Sequence, residues 1–200
     1  MSDKTFQFSI EPWSVVHENK EYQTPIFNLL YRKMRLDAES ENNEGDFYVL
    51  KAPEWVNVIP ITANKQVICV EQYRYGIEQP TLEIPGGMVD PGEKPLEAIQ
   101  RELAEETGFI SDSWLSLGKV SANPAIMTNF THLYLAEKCR YKESNNYSMD
   151  IHERINVHTI PIDDFLGFVD KGIIDHSIVV AAVARYLLRD RRRQKDGQLK

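Results

Sequence analysis

One segment restricts the fold of this chain more than any other: GGMVDPGEKPLEAIQRELAEETGF, Gly86 to Phe109. Pro95 can open a helix there and Gly108 can close it, since a missing N–H costs nothing in a first turn and glycine accepts the left-handed cap. The spacing predicts a helix of about thirteen residues, an ordinary globular length. On a 100° wheel Leu96, Ile99 and Leu103 share one stripe that would anchor the helix to a sheet, while Glu102 and Glu106 run along its edge and Glu105 lies further round toward water. Carboxylates three and four residues apart repel by a few tenths of a kcal/mol per pair, roughly, so something positive is expected among them. Glu102 and Glu106, one turn apart at the border of a buried stripe, can converge on a partly enclosed point. A hard divalent cation with oxygen ligands, magnesium or manganese, suits such a point. Arg101 is four residues before Glu105 and eight after Glu93 and can pair with either. Gly86 and Gly87, without Cβ atoms, permit a tight turn and let a backbone carbonyl approach the same ion. A solvated acidic helix behind a glycine turn is the plain alternative.

The rest of the chain reads as short elements without an internal repeat. Residues 5–17 and 25–36 look strand-like, with Asp37 to Asp46 as a polar hairpin loop. WVNVIPI at 55–61 and QVICVEQY at 66–73 read as adjacent strands joined by the turn TANK. Further strands are expected at 114–120, 131–138 and 154–160, and helices at roughly 162–170 and 176–193. Strands flanked by few helices predict a mixed-sheet α/β or α+β sandwich rather than a parallel doubly wound fold. At 200 residues one domain with a small appendage is expected.

A net charge of −7 argues against a nucleic-acid partner, and the basic run from Arg185 to Lys195 reads as a solvated helix end. No apolar run is long enough to span a bilayer, so no membrane association is expected, and the N-terminus lacks an apolar secretion signal. A cytoplasmic home is therefore expected. Cys69 and Cys139 stand apart in apolar or strand-like runs and read as buried free thiols, while His17, His132, His158 and His176 read as structural singlets.

Gly87, Glu93, Arg101, Glu102, Leu103, Glu105, Glu106, Gly108 and Phe109 agree at every fixed position with G-x5-E-x7-R-E-U-x-E-E-x-G-U, where U is bulky and apolar. On these residues the chain resembles the Nudix hydrolase family. The resemblance implies an α/β/α sandwich with a mixed sheet and a magnesium (Mg2+) cofactor for which manganese (Mn2+) can substitute. Glu102 and Glu106 would be the principal metal ligands and the Gly86 carbonyl a further one. Glu105 would be an auxiliary ligand or water-orienting group, and Glu93 and Arg101 would be structural.

The runs YVLKAPEWVNVIPIT, VEQYRYGIEQPTLEIPGGMVDPGE and IPIDDFLGFVDKGIIDHSIVVAAVARYL are similar to those of the ADP-ribose pyrophosphatase and nucleoside-diphosphate-sugar hydrolase subfamily. That likeness implies hydrolysis of a nucleotide sugar, with Arg74 on the substrate phosphates and Glu83 paired with that arginine or touching the sugar. Glu153 would be a further metal ligand or the general base. Some relatives carry a second glutamate where Ile151 stands, so Asp150 and His152 are alternatives for the base. Trp55, with Trp13, Phe27 and Tyr31, is a candidate to stack the nucleobase or to fill core. NPAIMTN at 123–129 lacks an acidic residue that some ADP-ribose enzymes carry there.

By the same resemblance residues 1–52 form an antiparallel β segment that joins a homodimer and helps build the pocket, and 53–200 form the hydrolase domain. Hydrolysis of another dinucleotide or a dinucleoside polyphosphate, or non-catalytic binding of a nucleotide sugar, are the competing readings.

Overall fold

The structure is a computed structural model and describes residues 6–36, 43–143 and 154–197, with side chains as far as Arg191. It divides into two compact units, residues 1–52 with 123–128, and residues 53–122 with 129–200.

The smaller unit is an antiparallel meander of β1 (Trp13–Gln23), β2 (Asn28–Leu36) and β3 (Glu44–Lys51), in that order. Thr24 closes the first turn: its hydroxyl accepts the N–H groups of Ile26 and Phe27, with Pro25 at the position whose fixed φ favours such a bend. The first strand begins and ends later than its apolar content suggests. The polar stretch HENKEYQ is strand because it pairs along β2, with Glu18 bound to the Arg32 guanidinium at 2.7 Å. Cross-strand pairing here outweighs hydrophobicity. Glu44–Asp46, expected in a loop, already belong to β3, and the remainder of that loop, 37–42, lies outside the described residues. Met127 bridges to Leu50, bringing 123–128 into this unit.

The larger unit is built on an eight-stranded sheet. Its strands are β4 (Trp55–Thr62), β5 (Gln66–Arg74), β6 (Gln79–Glu83), β7 (Gly86–Met88), β8 (Phe109–Ile110), β9 (Ser113–Ser121), β10 (Phe130–Tyr141) and β11 (Ile155–Pro161). The main path runs β11-β5-β4-β10-β8, with β6 on β5, β7 on β4 and β9 on β10. Only the β4–β10 pairing is parallel among these, which makes the sheet mixed.

Alternate residues of β4 enter two cores. Val56 and Val58 pack with Ala98, Ile99 and Leu103 of α1 (Pro95–Thr107). Ile59 and Ile61 pack with Phe165 of α2 (Ile162–Asp170) and with Ile178, Val179 and Val183 of α3 (Ser177–Gly197). Helices on both faces explain why β4 reads as a continuous apolar run. The expected mixed-sheet sandwich is the observed fold.

Candidate active site

Helix α1 runs thirteen residues from Pro95 and ends where Gly108 adopts φ 72° and returns its N–H to the Ala104 carbonyl. Its buried stripe begins at Ala98 and includes Ile99 and Leu103, but Leu96 is exposed, contrary to the wheel. A wheel treats every turn as equally covered, whereas the first turn of this helix lies outside the buried stretch. The stripe leaves Glu106 buried, Glu102 nearly so and Glu105 the most open of the three, the order the wheel predicts.

These side chains meet strand β7. The Gly86 N–H donates to Glu106 Oε2 at 3.1 Å, and a Cβ on Gly87 would fall on the Glu102 carboxylate. A Cβ on Gly86 would fall on Asn57 and the Val56 carbonyl. The two glycines therefore serve close approach and not the expected tight turn, since they pair with β4 as strand and neither has a positive φ. The turn comes later, at Asp90–Glu93, where Pro91 and Gly92 (φ 85°) occupy the central positions of a type II bend and Glu93 N–H donates to the Asp90 carbonyl.

Arg101 resolves the crowding of negative charge. Its Nε and Nη2 donate to the two oxygens of Glu93 at 3.1 and 3.0 Å, Nη2 also to the Met88 carbonyl, and Nη1 to Glu102 Oε1 at 2.9 Å and Glu105 Oε2 at 3.1 Å. Its hydrogen bonds to Glu93 lead the causes that raise the guanidinium pKa, and the same bonds hold the Glu93 carboxyl below its ordinary range. One guanidinium thus fastens the loop to the helix and neutralises part of its face.

Every donor offered here is oxygen, which fits a hard divalent cation. Among the described residues no group of three or more His, Cys, Asp or Glu forms a finished metal cage. A cation held by Glu102 and Glu106 would complete its shell with backbone carbonyls, phosphate oxygens and water, as magnesium commonly does.

A second charged cluster lies three residues upstream of Gly86. Glu83, at the end of β6, is 1% exposed and receives Arg74 Nε and Nη2, one on each oxygen, both at 2.7 Å. Thr81 Oγ1 donates to Oε1 at 2.7 Å, and His176 Nδ1 lies 2.9 Å from Oε2. Burial raises the Glu83 pKa, but the bonds from Arg74 and Thr81, with the His176 ring close by, outweigh it and leave the carboxyl well below the usual range. Arg74 keeps 43% of its side chain exposed. Trp55, at the start of β4, packs half-buried against the larger core.

Glu153, Asp150 and His152 lie outside the described residues. The histidines expected as singlets include three that face carboxylates: His132 Nε2 to Glu54 at 3.0 Å, His158 Nε2 to Glu71 at 2.8 Å, and His176 to Glu83. Each pairing spans at least 78 residues, so no local pattern could announce it. Cys69 and Cys139 are free and buried, with burial pushing their thiols up to about 12 and about 11.

Residues 52–176, more than half of the chain, match the NUDIX domain model. The chain belongs to the Nudix family. It is 33% identical over 134 residues to a methanol dehydrogenase activator of Bacillus methanolicus, covering 66% of this chain and 72% of that one. It is 30% identical over 123 residues to an ADP-ribose pyrophosphatase of Bacillus subtilis strain 168 (62% and 66%) and 31% over 125 residues to the ADP compounds hydrolase NudE of Escherichia coli K12 (61% and 66%). The last two matches span about two thirds of each relative's length. A crystal structure of an ADP compounds hydrolase superposes with a TM-score of 0.76 at 20% identity, over 94% of this chain and 98% of that one, and so shares the fold. The chain is a Nudix hydrolase, an enzyme class that generally uses divalent metal ions.

Proposed function

We propose that this Nudix hydrolase cleaves the pyrophosphate bond of ADP-ribose or a similar nucleoside diphosphate sugar, releasing a nucleoside monophosphate and a sugar phosphate. The observation that carries the reading is the five-residue run Glu83–Gly87. At one end it fixes a guanidinium fork, through Glu83 and Arg74, and at the other it meets the carboxylates of Glu102 and Glu106. Three residues span at most about 10 Å, a reach suited to a diphosphate held by a cation at one phosphate and by arginine at the other. The ADP-ribose pyrophosphatase and ADP compounds hydrolase among its relatives support the substrate class.

Glu102, Glu106 and the Gly86 carbonyl are the assigned ligands of magnesium, for which manganese can substitute. When bound, the ion neutralises phosphate charge and acidifies water. Arg74 grips a phosphate oxygen, and Arg101 keeps Glu102 and Glu105 in place. Water attacks one phosphorus, the bridging P–O bond breaks, and the water's proton passes to a carboxylate. Glu153 is the assigned base and a further metal ligand, and Glu105 orients the water. Trp55 is the assigned stacking surface for the base.

A homodimer joined through the β-rich segment of residues 1–52 belongs to the same reading. It is supported by β1, an edge strand whose Trp13, Val15, Val16 and Tyr22 are exposed. So does cytoplasmic residence, supported by two buried and unpaired cysteines. No described helix is long and apolar enough to cross a membrane.

The test is product analysis with ADP-ribose, ADP-glucose, GDP-mannose, a dinucleoside polyphosphate and a nicotinamide dinucleotide. AMP and ribose 5-phosphate from ADP-ribose are expected. Turnover confined to the dinucleotide or polyphosphate would overturn the substrate assignment.

A further inference from the structure

Strand β4 is buried from Val56 to Ile61, and within that stretch stands a carboxamide, Asn57. A buried amide destabilises the fold unless its polar atoms find partners. Asn57 Nδ2 lies 3.4 Å from both the Ile84 and the Pro85 carbonyl oxygens, and two acceptors settle which end of the amide is nitrogen. Both bonds are long, so each contributes little by itself. What matters is the stretch of backbone they span.

Ile84 and Pro85 link β6 to β7 and belong to neither strand. Pro85 has no N–H to donate and its ring fixes φ, which leaves ψ as the one soft torsion between the peptide planes on either side of it. The Val58 N–H, 3.0 Å from the Pro85 carbonyl, holds one of those planes. Asn57 reaches the carbonyls of both and so bears on the torsion between them. The Pro85–Gly86 peptide is trans, so its N–H points opposite to its C=O. With that carbonyl turned to β4, the Gly86 N–H is turned the other way, onto Glu106 Oε2 at 3.1 Å. The absent Gly86 side chain makes room for the same amide, which with the Val56 carbonyl occupies the place of a Cβ.

We infer that Asn57 is a positioning residue for Glu106: it sets the Ile84–Pro85 link so that the Gly86 N–H holds that carboxylate in the orientation that meets the metal ion. This rests on the metal-ligand role proposed for Glu106 above. It extends the cation site to an uncharged residue of β4 that acts through the backbone and is itself no ligand.

The experiment compares wild type with Asn57→Leu, Asn57→Ala, Glu106→Gln and the Asn57→Leu/Glu106→Gln double variant, each checked for its fold by circular dichroism. Electron paramagnetic resonance of free Mn2+ gives the metal Kd without nucleotide. Nitrogen–proton correlation spectra follow the Gly86 amide, whose proton a bond to carboxylate shifts downfield. Asn57→Leu keeps nearly the same volume without the donor, and Asn57→Ala keeps neither. Both should raise the Mn2+ Kd about threefold to tenfold, the scale of one modest hydrogen bond, and both should move the Gly86 proton upfield. The double variant should bind Mn2+ no more weakly than Glu106→Gln, since Asn57 acts through that carboxylate. A loss in Asn57→Ala that Asn57→Leu restores would reduce Asn57 to packing and overturn the inference. An unmoved Gly86 amide in both variants, or additive losses in the double variant, would do the same. Wild type that binds no Mn2+ contradicts the metal role of Glu106 and the inference with it, whereas wild type and Asn57→Leu that bind Mn2+ equally contradict the inference alone.

Discussion

At the scale of residues, the site is a problem of electrostatics solved by one cation on each side of Glu83–Gly87. Arg101 hydrogen-bonds three carboxylates of the loop and helix and lies 3.8 Å from a further one, Asp90, while Arg74 forks onto one that is buried. Gly87 matters for space: a methyl group there meets the flexible end of Glu102 and not backbone. Gly87→Ala should therefore fold normally while pushing that carboxylate aside. We expect an unchanged circular dichroism spectrum and an activity loss of about 100-fold, the scale of an ångström's misplacement in an active site. Full activity in that variant would contradict the role given to Glu102.

Glu83 carries a pH dependence of known sign. Its carboxyl titrates lower in the folded chain than its unfolded value of about 4.3, so its ionisation stabilises the fold above that pH. The contribution is lost as pH falls from there through the lower folded value. Glu83→Gln should cost about 1–3 kcal/mol at pH 7 and flatten the acid limb of stability in urea titrations. An acid limb as steep as that of wild type would show that Glu83 is not its source.

Among elements, the glutamate helix was the most legible, because Pro95 and Gly108 are local signals whose physics needs no tertiary context. The two β-rich runs at 55–61 and 66–73 became β4 and β5 for a similar reason, being apolar on both faces and separated by a turn. Other features depended on distant partners. Strands β6, β7 and β8, of two to five residues, exist because a neighbour offers hydrogen bonds, and too few side chains lie in each to show a period. The polar end of β1 is strand only through β2. The carboxylates and Arg101 could be read from spacing on one helix, whereas His176 beside Glu83 could not. Leu96 marks the limit of periodicity in the other direction, with the right angle on the wheel but a side chain left exposed. Thermal or urea unfolding should separate the two cases. Ile99→Ala or Leu103→Ala should cost about 2–5 kcal/mol, and Leu96→Ala less than about 1. Equal losses at positions 96 and 99 would contradict the stripe.

For the whole molecule, the family match and the three-stranded unit carry different weight. Residues 52–176 establish a Nudix hydrolase, and the meander with its exposed β1 supports the proposed homodimer. Sedimentation should give the mass of two chains, and Val16→Lys should shift it toward one. A monomeric wild type would leave the exposed strand without the partner assigned to it. The central claim is metal-assisted hydrolysis by the α1 carboxylates, and its most direct test is AMP release from ADP-ribose by wild type and Glu106→Gln across a magnesium titration, with a chelator control. The account predicts turnover that requires the metal and falls at least about 1000-fold in the variant. Turnover that survives chelation, or that the variant retains, would contradict it.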